Sequence, residues 1–296
     1  MERLAHAKLN WDLHILGKRP DGFHELDTVM VSIALADRLR FEPAATLHFT
    51  CTDPSLPADD TNLVVRAAKR LAEAAGVPAR AAIHLEKHVP AGGGLGGGSS
   101  DAACTLEALN ELWGLHWPRE RLAEVAATLG SDVAFFLWGG WCRCLGRGEV
   151  IERLPETPET KTPVFFLVIP AFGIPTPLVY KVLQAPAWSD KRPARVLTEV
   201  SDNIRMQLVK LYNNDPMPGW PHNGLQKAAR DAEPRLVELH QWLDATVPGR
   251  WQLSGSGAVH FVVSSTVDAA TVHRKLESSL PSKVRLIRTQ ATTRRP

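Results

Sequence analysis

The chain is poor in cysteine, with four residues in 296, at positions 51, 104, 142 and 144. So few thiols do not build the dense disulfide framework of a small secreted domain. The sequence contains no C-x-x-C pair, and no histidine accompanies the cysteines at metal-ligand spacing, so a zinc site is not predicted. We therefore expect reduced thiols in a cytoplasmic protein.

The chain also lacks an excess of either charge, because 34 Lys and Arg residues oppose 32 Asp and Glu residues and leave a net charge of +2. A dedicated nucleic-acid binder has a stronger basic excess or a basic stripe. The one basic cluster, over 283–295, is typical of a solvated edge strand and a frayed end. We therefore expect no nucleic-acid partner.

Long apolar runs are missing as well. The longest, over 164–172, is broken by Pro170 and is too short for a membrane-spanning helix, so we expect no membrane partner. The first residues, MERLAHAKLN, carry charges where a signal peptide has an apolar core, which also favours the cytoplasm. The apolar fraction of 44% and the charged fraction of 22% are those of a folded globular protein. At about 150 residues per domain, the length predicts two domains.

Strand and helix patterns are mixed in the first half of the chain. Apolar residues alternate from Leu9 to Ile15 and predict a half-buried strand, with Lys8 and Asn10 together on its polar face. Turn residues at 19–22 and a second apolar run complete a hairpin. A proline- and threonine-rich break at 154–163 predicts a boundary between an N-terminal domain, 1–155, and a C-terminal domain, 164–296.

The second half continues the mixture, although the proline-rich segment 186–222 is hard to assign as a whole. Periodicity predicts strands at 164–169, 251–253, 258–263 and 283–289, and helices at 176–184, 195–211, 223–244 and 267–279. Mixed strands and helices in both halves predict an α/β or α+β fold and exclude an all-helical bundle.

The strongest chemical signal is a glycine run, Pro90-Ala91-Gly92-Gly93-Gly94-Leu95-Gly96-Gly97-Gly98-Ser99-Ser100-Asp101. The run joins a predicted strand to a predicted helix, with Ser99 or Ser100 as the expected N-cap. Glycine adopts positive φ and lets an anion approach backbone N–H groups, and the helix N-terminus adds unpaired N–H groups. The segment therefore predicts a phosphate-binding loop in preference to a flexible linker.

Three other glycine-rich sites fit this run less well. A Walker A loop needs a lysine where Ser99 stands. The G-x-G-x-x-G match at 92–97 arises within a run of glycines, and a helix–helix pattern follows it instead of a βαβ unit. The protein-kinase motifs V-A-I-K, H-R-D and D-F-G do not occur.

The segment from Pro90 to Ser100 resembles the P-x-G-x-G-L-G-S/G-S-S loop of the GHMP kinases. The segments AKLNWDLHILGKRPDGFHEL, GSDVAFFLWGG and LSGSGAVHF are similar to one branch of that superfamily. That branch phosphorylates the 2-hydroxyl of 4-diphosphocytidyl-2-C-methylerythritol with ATP in the non-mevalonate isoprenoid pathway.

The resemblance implies a fold, cofactors and partners. The fold is the two-domain GHMP kinase fold, with an N-terminal domain like the second domain of ribosomal protein S5 and a ferredoxin-like C-terminal domain. ATP and Mg²⁺ are implied, together with a cytidine diphosphate sugar alcohol as the second small-molecule substrate. The oligomeric state implied is a monomer or a weak homodimer.

The resemblance also implies two catalytic residues. Asp132, in Gly130-Ser131-Asp132-Val133-Ala134, matches the catalytic aspartate that orients the substrate hydroxyl and takes its proton. Lys8 matches the lysine of A-K-L-N, which lowers the pKa of the aspartate and offsets charge on the transferring phosphoryl group. The alternatives from the residues alone are a helix cap for Asp132 and a solvated lysine for Lys8.

Binding residues follow from the same resemblance. The ATP-binding set has Asn62 beside the adenine and a loop around the phosphates: Pro90, Gly92, Gly93, Gly94, Leu95, Gly96, Gly97, Gly98, Ser99 and Ser100. The hydroxyl of Ser99 or Ser100 is available to Mg²⁺. The substrate set has His24 on the cytosine and four further residues: Asn10, Phe23, Thr176 and Tyr180. A second phosphate loop, equally readable as a tight turn, is Ser254, Gly255, Ser256 and Gly257.

The sequence departs from the family pattern at two places. Ala134 replaces a proline, and Asn223-Gly224-Leu225 stands where the pattern has N-D-L, which we expect to loosen a helix cap or alter substrate handling. Two other functions stay open at this point. One is a homoserine or mevalonate type of GHMP kinase, and the other is a catalytically silent nucleotide-binding protein on the same fold.

Overall fold

The computed structural model describes residues 1–154, 162–188, 197–213 and 222–292. The boundary predicted at 154–163 lies mostly outside the described residues, so it stays a prediction. Part of the unassigned segment 186–222 also lies outside them. Within the described ranges, no helix has the length and apolar character needed to cross a membrane.

In the described part of the chain, the first half forms a six-stranded sheet in the order β3-β4-β2-β5-β6, with β1 paired to β2. Its strands are β1 (Glu2–Lys18), β2 (His24–Glu42), β3 (Leu47–Cys51), β4 (Ala81–Glu86), β5 (Trp141–Gly146) and β6 (Val150–Arg153). The predicted hairpin is confirmed, because β1 and β2 pair antiparallel from Glu2↔Arg40 to Lys18↔His24. The short strands β3 and β6 were not predicted.

Four helices accompany this sheet: α1 (Leu63–Ala75), α2 (Gly97–Leu112), α3 (Arg119–Leu129) and α4 (Val133–Trp138). Asn62 caps α1, because its Oδ1 accepts from the Val64 N–H at 2.9 Å. The expected cap of α2 was wrong: the helix begins at Gly97, and Ser99 and Ser100 lie inside its first turn. Glycine at the cap position, Gly96, has φ of 71°, a conformation that serine rarely adopts.

Within the described residues, the second half forms a four-stranded sheet in the order β10-β7-β9-β8, with antiparallel pairs. Its elements are β7 (Val164–Pro170), α5 (Thr176–Leu183), α6 (Leu197–Asn213), α7 (Gln226–Ala232), α8 (Leu236–Thr246), β8 (Trp251–Leu253), β9 (His260–Ser264), α9 (Ala269–Ser278) and β10 (Val284–Gln290). The prediction of a single helix over 223–244 was wrong. The helix is interrupted between α7 and α8, where Pro234 has no N–H to continue it.

Strand β1 joins the two sheets through a shared core. Its Trp11 is 1% exposed and packs edge-on against Trp141 of the first sheet and Phe165 of the second. The Trp11 indole donates to Gln207 of α6 at 2.8 Å. The apolar face of β1 is therefore buried as predicted, but its polar face is buried too, since Lys8 and Asn10 are each 3% exposed.

Candidate active site

A cavity of about 960 Å³ brings together residues from both halves of the chain. The predicted site residues that line it are Lys8, Asn10, Phe23, His24, Asn62, Pro90, Gly92, Gly93, Gly94, Leu95, Gly96, Gly97, Gly98, Ser99, Asp132, Thr176, Tyr180, Gly255 and Ser256. Residues almost 250 positions apart in sequence therefore share one concave site, the usual form of a small-molecule site.

The glycine run forms a loop that a larger side chain would disrupt. Gly94 has φ of 76°, and a Cβ there would lie 2.1 Å from the carbonyl oxygen of Ser254. The Lys8 N–H donates to the Leu95 carbonyl at 2.9 Å, and the Ser254 hydroxyl donates to the Gly94 carbonyl at 3.1 Å. These bonds hold the loop between β1 and the second sheet.

The start of α2 points unpaired N–H groups into this cavity. The first N–H groups of a helix have no partner within it, and Gly97, Gly98 and Ser99 occupy these positions and line the cavity. Together with the positive end of the helix dipole, they favour an anion such as a phosphate. The Ser100 hydroxyl is turned away, because it donates to the His6 carbonyl at 2.7 Å. Ser99 is therefore the serine whose hydroxyl is placed for a metal ion or a phosphate.

Lys8 and Asp132 meet at the centre of the site. The Lys8 Nζ lies 3.5 Å from Asp132 Oδ2 and also donates to Asn10 Oδ1. The Lys8 side chain is 4% exposed, whereas that of Asp132, which directly precedes α4, is 30% exposed. A buried cation thus faces a carboxylate that a ligand in the cavity can reach.

A hydrogen-bond chain fixes the polar face of β1. Asn10 Nδ2 donates to the Thr28 hydroxyl at 3.0 Å, and that hydroxyl donates to the Asp12 carbonyl at 2.6 Å. Thr28, which the sequence analysis missed, is fully buried in β2. Because the Thr28 hydroxyl donates to Asp12, it accepts from the NH₂ group of Asn10. The amide oxygen of Asn10 is therefore oriented towards Lys8.

Aromatic residues form the other end of the cavity. The rings of His24 and Tyr180 lie 4.7 Å apart at 33°. Burial, with the charge of Lys18 acting in the same sense, lowers the pKa of His24, so its imidazole is neutral at pH 7 and both donates and accepts. Burial also raises the pKa of the Tyr180 phenol, which remains an O–H donor. Phe23 is 48% exposed, under the Arg147 guanidinium at 4.9 Å.

A buried ion cluster lies beneath the glycine loop, and the sequence analysis missed it. Lys87 Nζ contacts Asp37 Oδ2 and lies 3.0 Å from Asp101 Oδ2. Asp37 Oδ1 accepts from the N–H groups of His88 and Val89, at 2.6 and 2.8 Å. Burial raises the pKa of Asp101, and Lys87 opposes that shift. The cluster connects the start of the glycine loop to α2. The sequence signal that could have revealed it is Asp37, a charged residue within the apolar run of β2.

Comparisons with known proteins define the class. Residues 62–140 match the family model described as "GHMP kinases N terminal domain". The fold agrees: a crystal structure of 4-(cytidine 5'-diphospho)-2C-methyl-D-erythritol kinase superposes with a TM-score of 0.75 and 36% identity, covering 99% of this chain and 100% of that one. The two-domain α+β GHMP kinase fold expected from the sequence is thus confirmed.

Relatives narrow the class to one branch. The 4-diphosphocytidyl-2-C-methyl-D-erythritol kinase of Salinibacter ruber is 38% identical over 284 residues, 95% of each chain. That of Heliobacterium modesticaldum is 43% identical over 283 residues, 92% of this chain and 88% of its own. The chain belongs to the 4-diphosphocytidyl-2-C-methyl-D-erythritol kinase family.

Proposed function

We propose that this protein transfers the γ-phosphoryl group of ATP to the 2-hydroxyl of 4-diphosphocytidyl-2-C-methyl-D-erythritol, in the non-mevalonate isoprenoid pathway. The observation that carries the proposal is a single cavity that joins three parts. A glycine loop suits a polyphosphate, the Lys8–Asp132 pair suits an alcohol, and the aromatic group of Phe23, His24 and Tyr180 suits a nucleobase. Family membership supports the same reaction.

ATP binding follows from the loop and the first turn of α2. Backbone N–H groups from Gly92 to Ser99 surround the phosphates, and the helix dipole favours their charge. Asn62 and Leu63 line the same cavity and belong to the part that takes the adenine. The Asn62 amide is also engaged in the protein, since it donates to the Pro57 carbonyl at 2.8 Å and caps α1. Asn62 therefore shapes this wall as well as contacting the nucleotide.

Phosphoryl transfer is assigned to Lys8 and Asp132. Asp132 orients the acceptor hydroxyl and accepts its proton as the oxygen attacks phosphorus. The bond from the γ-phosphorus to its bridging oxygen breaks, and ADP leaves with the bonding electrons. Lys8, held by Asn10, offsets the negative charge on the transferring group. Catalysis here consists of positioning and charge stabilisation, because the protein forms no covalent bond.

Mg²⁺ fits the cavity through a small number of protein ligands. The Ser99 side chain lines the cavity next to the loop, whereas the described residues contain no cluster of three or more His, Cys, Asp or Glu for a metal ion. Magnesium in kinases takes one or two protein oxygens and completes its shell with phosphates and water. We assign the Ser99 hydroxyl to it; the ion supplies charge neutralisation on the phosphates.

The cytidine end is assigned to His24, Tyr180 and Phe23. A neutral imidazole donates one hydrogen bond and accepts another, which suits the mixed donor and acceptor edge of cytosine. Tyr180 and Phe23 offer ring faces for stacking, and Arg147 above Phe23 adds positive charge near the diphosphate. Thr176, whose hydroxyl lies 2.7 Å from that of Ser256, lines the same wall.

Product analysis tests the proposed function. Purified protein is incubated with ATP, Mg²⁺ and 4-diphosphocytidyl-2-C-methylerythritol, and the products are resolved by mass spectrometry and ³¹P NMR. We expect one ADP for each acceptor that gains a phosphate, with the new ³¹P signal that of an ester on the tertiary alcohol. ADP formation without a phosphorylated acceptor would contradict the proposal. We further propose that the protein is cytoplasmic and that it is a monomer or a weak homodimer. Sedimentation velocity measures the oligomeric state.

A further inference from the structure

Asn223 lies where the second half of the chain meets strand β1. Its backbone forms an isolated parallel bridge with Leu13. The Leu13 N–H donates to the His222 carbonyl at 2.7 Å, and the Gly224 N–H donates to the Leu13 carbonyl at 2.8 Å. The segment is thus fixed to the strand that carries Lys8 and Asn10.

The side-chain amide of Asn223 uses its NH₂ group and its oxygen in hydrogen bonds inside the protein. Its Nδ2 donates to two carbonyl oxygens of one turn, Leu253 at 2.8 Å and Gly255 at 2.9 Å. Its Oδ1 accepts from the Leu225 N–H at 2.8 Å. The residue is 5% exposed, so these bonds form away from water and breaking them leaves buried groups unpaired.

The turn that Asn223 holds reaches the reacting centre. A Cβ on Gly255 would lie 3.2 Å from Asn10 Oδ1 and 3.3 Å from Lys8 Nζ. The same turn contacts the glycine loop, since Ser254 donates to the Gly94 carbonyl. A small displacement of Gly255 is therefore transmitted to the ammonium group that faces Asp132.

We propose that Asn223 is a positioning residue for phosphoryl transfer, which locks the 253–255 turn against Lys8 and Asn10. The inference rests on the kinase activity proposed above. Only an amide performs this task, because it donates twice on one side and accepts on the other. An aspartate of the same shape presents an oxygen to the two carbonyl oxygens, and repulsion replaces two hydrogen bonds.

Position 224, where the family pattern has an aspartate, is a glycine that packs against β1. A Cβ on Gly224 would lie 3.2 Å from Ile15 Cγ1 and 3.4 Å from the Leu13 carbonyl oxygen, so glycine lets this segment approach β1 closely. Helix α7 has no side-chain cap, and Asn223 Oδ1 accepts from the Leu225 N–H just before the helix begins.

The test compares Asn223→Asp with Asn110→Asp. Asn110 provides a matched control, because its amide also accepts from and donates to backbone groups, those of Trp117, at the far end of α2. We expect kcat to fall about 10- to 100-fold in N223D, the range for a misplacement of up to 1 Å, and the Kd of ATP to change by a smaller factor. N110D should lower Tm and leave kcat as it is.

A second readout separates this inference from the proposed function. Amide hydrogen exchange of the peptide covering 253–257 should become faster in N223D and stay unchanged in N110D, whether or not the acceptor is the right one. Unaltered exchange in this peptide, or equal losses of kcat in both variants, would overturn the assignment. Faster exchange in a protein that phosphorylates no acceptor would support the lock and refute the kinase proposal.

Discussion

Replacing Asp132 by asparagine removes the proposed proton acceptor with little change of shape. The side chain is 30% exposed and lies 3.5 Å from the Lys8 ammonium, so the variant keeps a polar group in place. What it loses is the negative charge and the capacity to take the proton of the acceptor hydroxyl. The loss should therefore appear in the chemical step.

The magnitude follows from general-base catalysis. A positioned base contributes about 10²- to 10⁴-fold to a rate. At about 1.4 kcal/mol for each factor of ten, the barrier rises by about 3 to 6 kcal/mol. The Kd of ATP should change little, because the phosphates are held by the loop from Gly92 to Gly98 and the start of α2.

The assay couples ADP release to a spectroscopic signal under saturating ATP and acceptor, with ATP binding measured by calorimetry. Asp268→Asn is the control, because Asp268 is a partly exposed carboxylate paired with Arg250, outside the cavity. D268N should keep its turnover. A D132N protein that binds ATP and turns over within about tenfold of the unaltered protein would refute the role of Asp132 as the base.

Three further perturbations test other parts of the account. Replacing His24 with alanine should raise KM for the cytidine-bearing acceptor far more than KM for ATP; equal increases would place His24 outside the cytidine site. Gly94→Ala should abolish ATP binding seen by calorimetry, because its Cβ would lie 2.1 Å from the Ser254 carbonyl; Gly249→Ala, at a φ of 68° with no neighbour within 4 Å, should retain it. Burial lowers the pKa of His240 from 6.5 to about 4. Between these values the unfolded chain takes up a proton that the folded chain does not. The contribution of His240 to the free energy of unfolding is therefore constant above pH 6.5 and falls towards pH 4, by up to about 1.4 kcal/mol per pH unit. In urea unfolding, His240→Gln should flatten that slope, and an unchanged slope would contradict a buried neutral imidazole.

Local patterns in the sequence predicted the elements that position the site. Alternation placed Lys8 and Asn10 on one face of a strand, and the glycine run between two periodic segments marked the phosphate loop. Those signals are local, because the period of a strand or helix and the conformational freedom of glycine act within a few residues. The family motifs then brought Asp132 and His24 into the candidate site.

Features that depend on distant partners were not predictable in the same way. Alternation predicted that β1 is half-buried, yet Lys8 and Asn10 on its polar face are buried as well. Asp132, Thr28 and Gly255, each distant in sequence, lie against them. The Lys87 cluster requires Asp37 and Asp101, which are far apart in sequence, to converge. Likewise, the N-cap of α2 is Gly96 and not the predicted serine, because the tertiary path of the loop requires a positive φ at that position.

The central claim is that one cavity binds ATP and a cytidine-bearing alcohol for phosphoryl transfer. The most direct measurement is kcat/KM for ADP release with four acceptors side by side: 4-diphosphocytidyl-2-C-methylerythritol, mevalonate, homoserine and galactose. The account predicts turnover with the cytidine compound alone. Turnover with another acceptor, or ATP binding without turnover on any of the four, would contradict it.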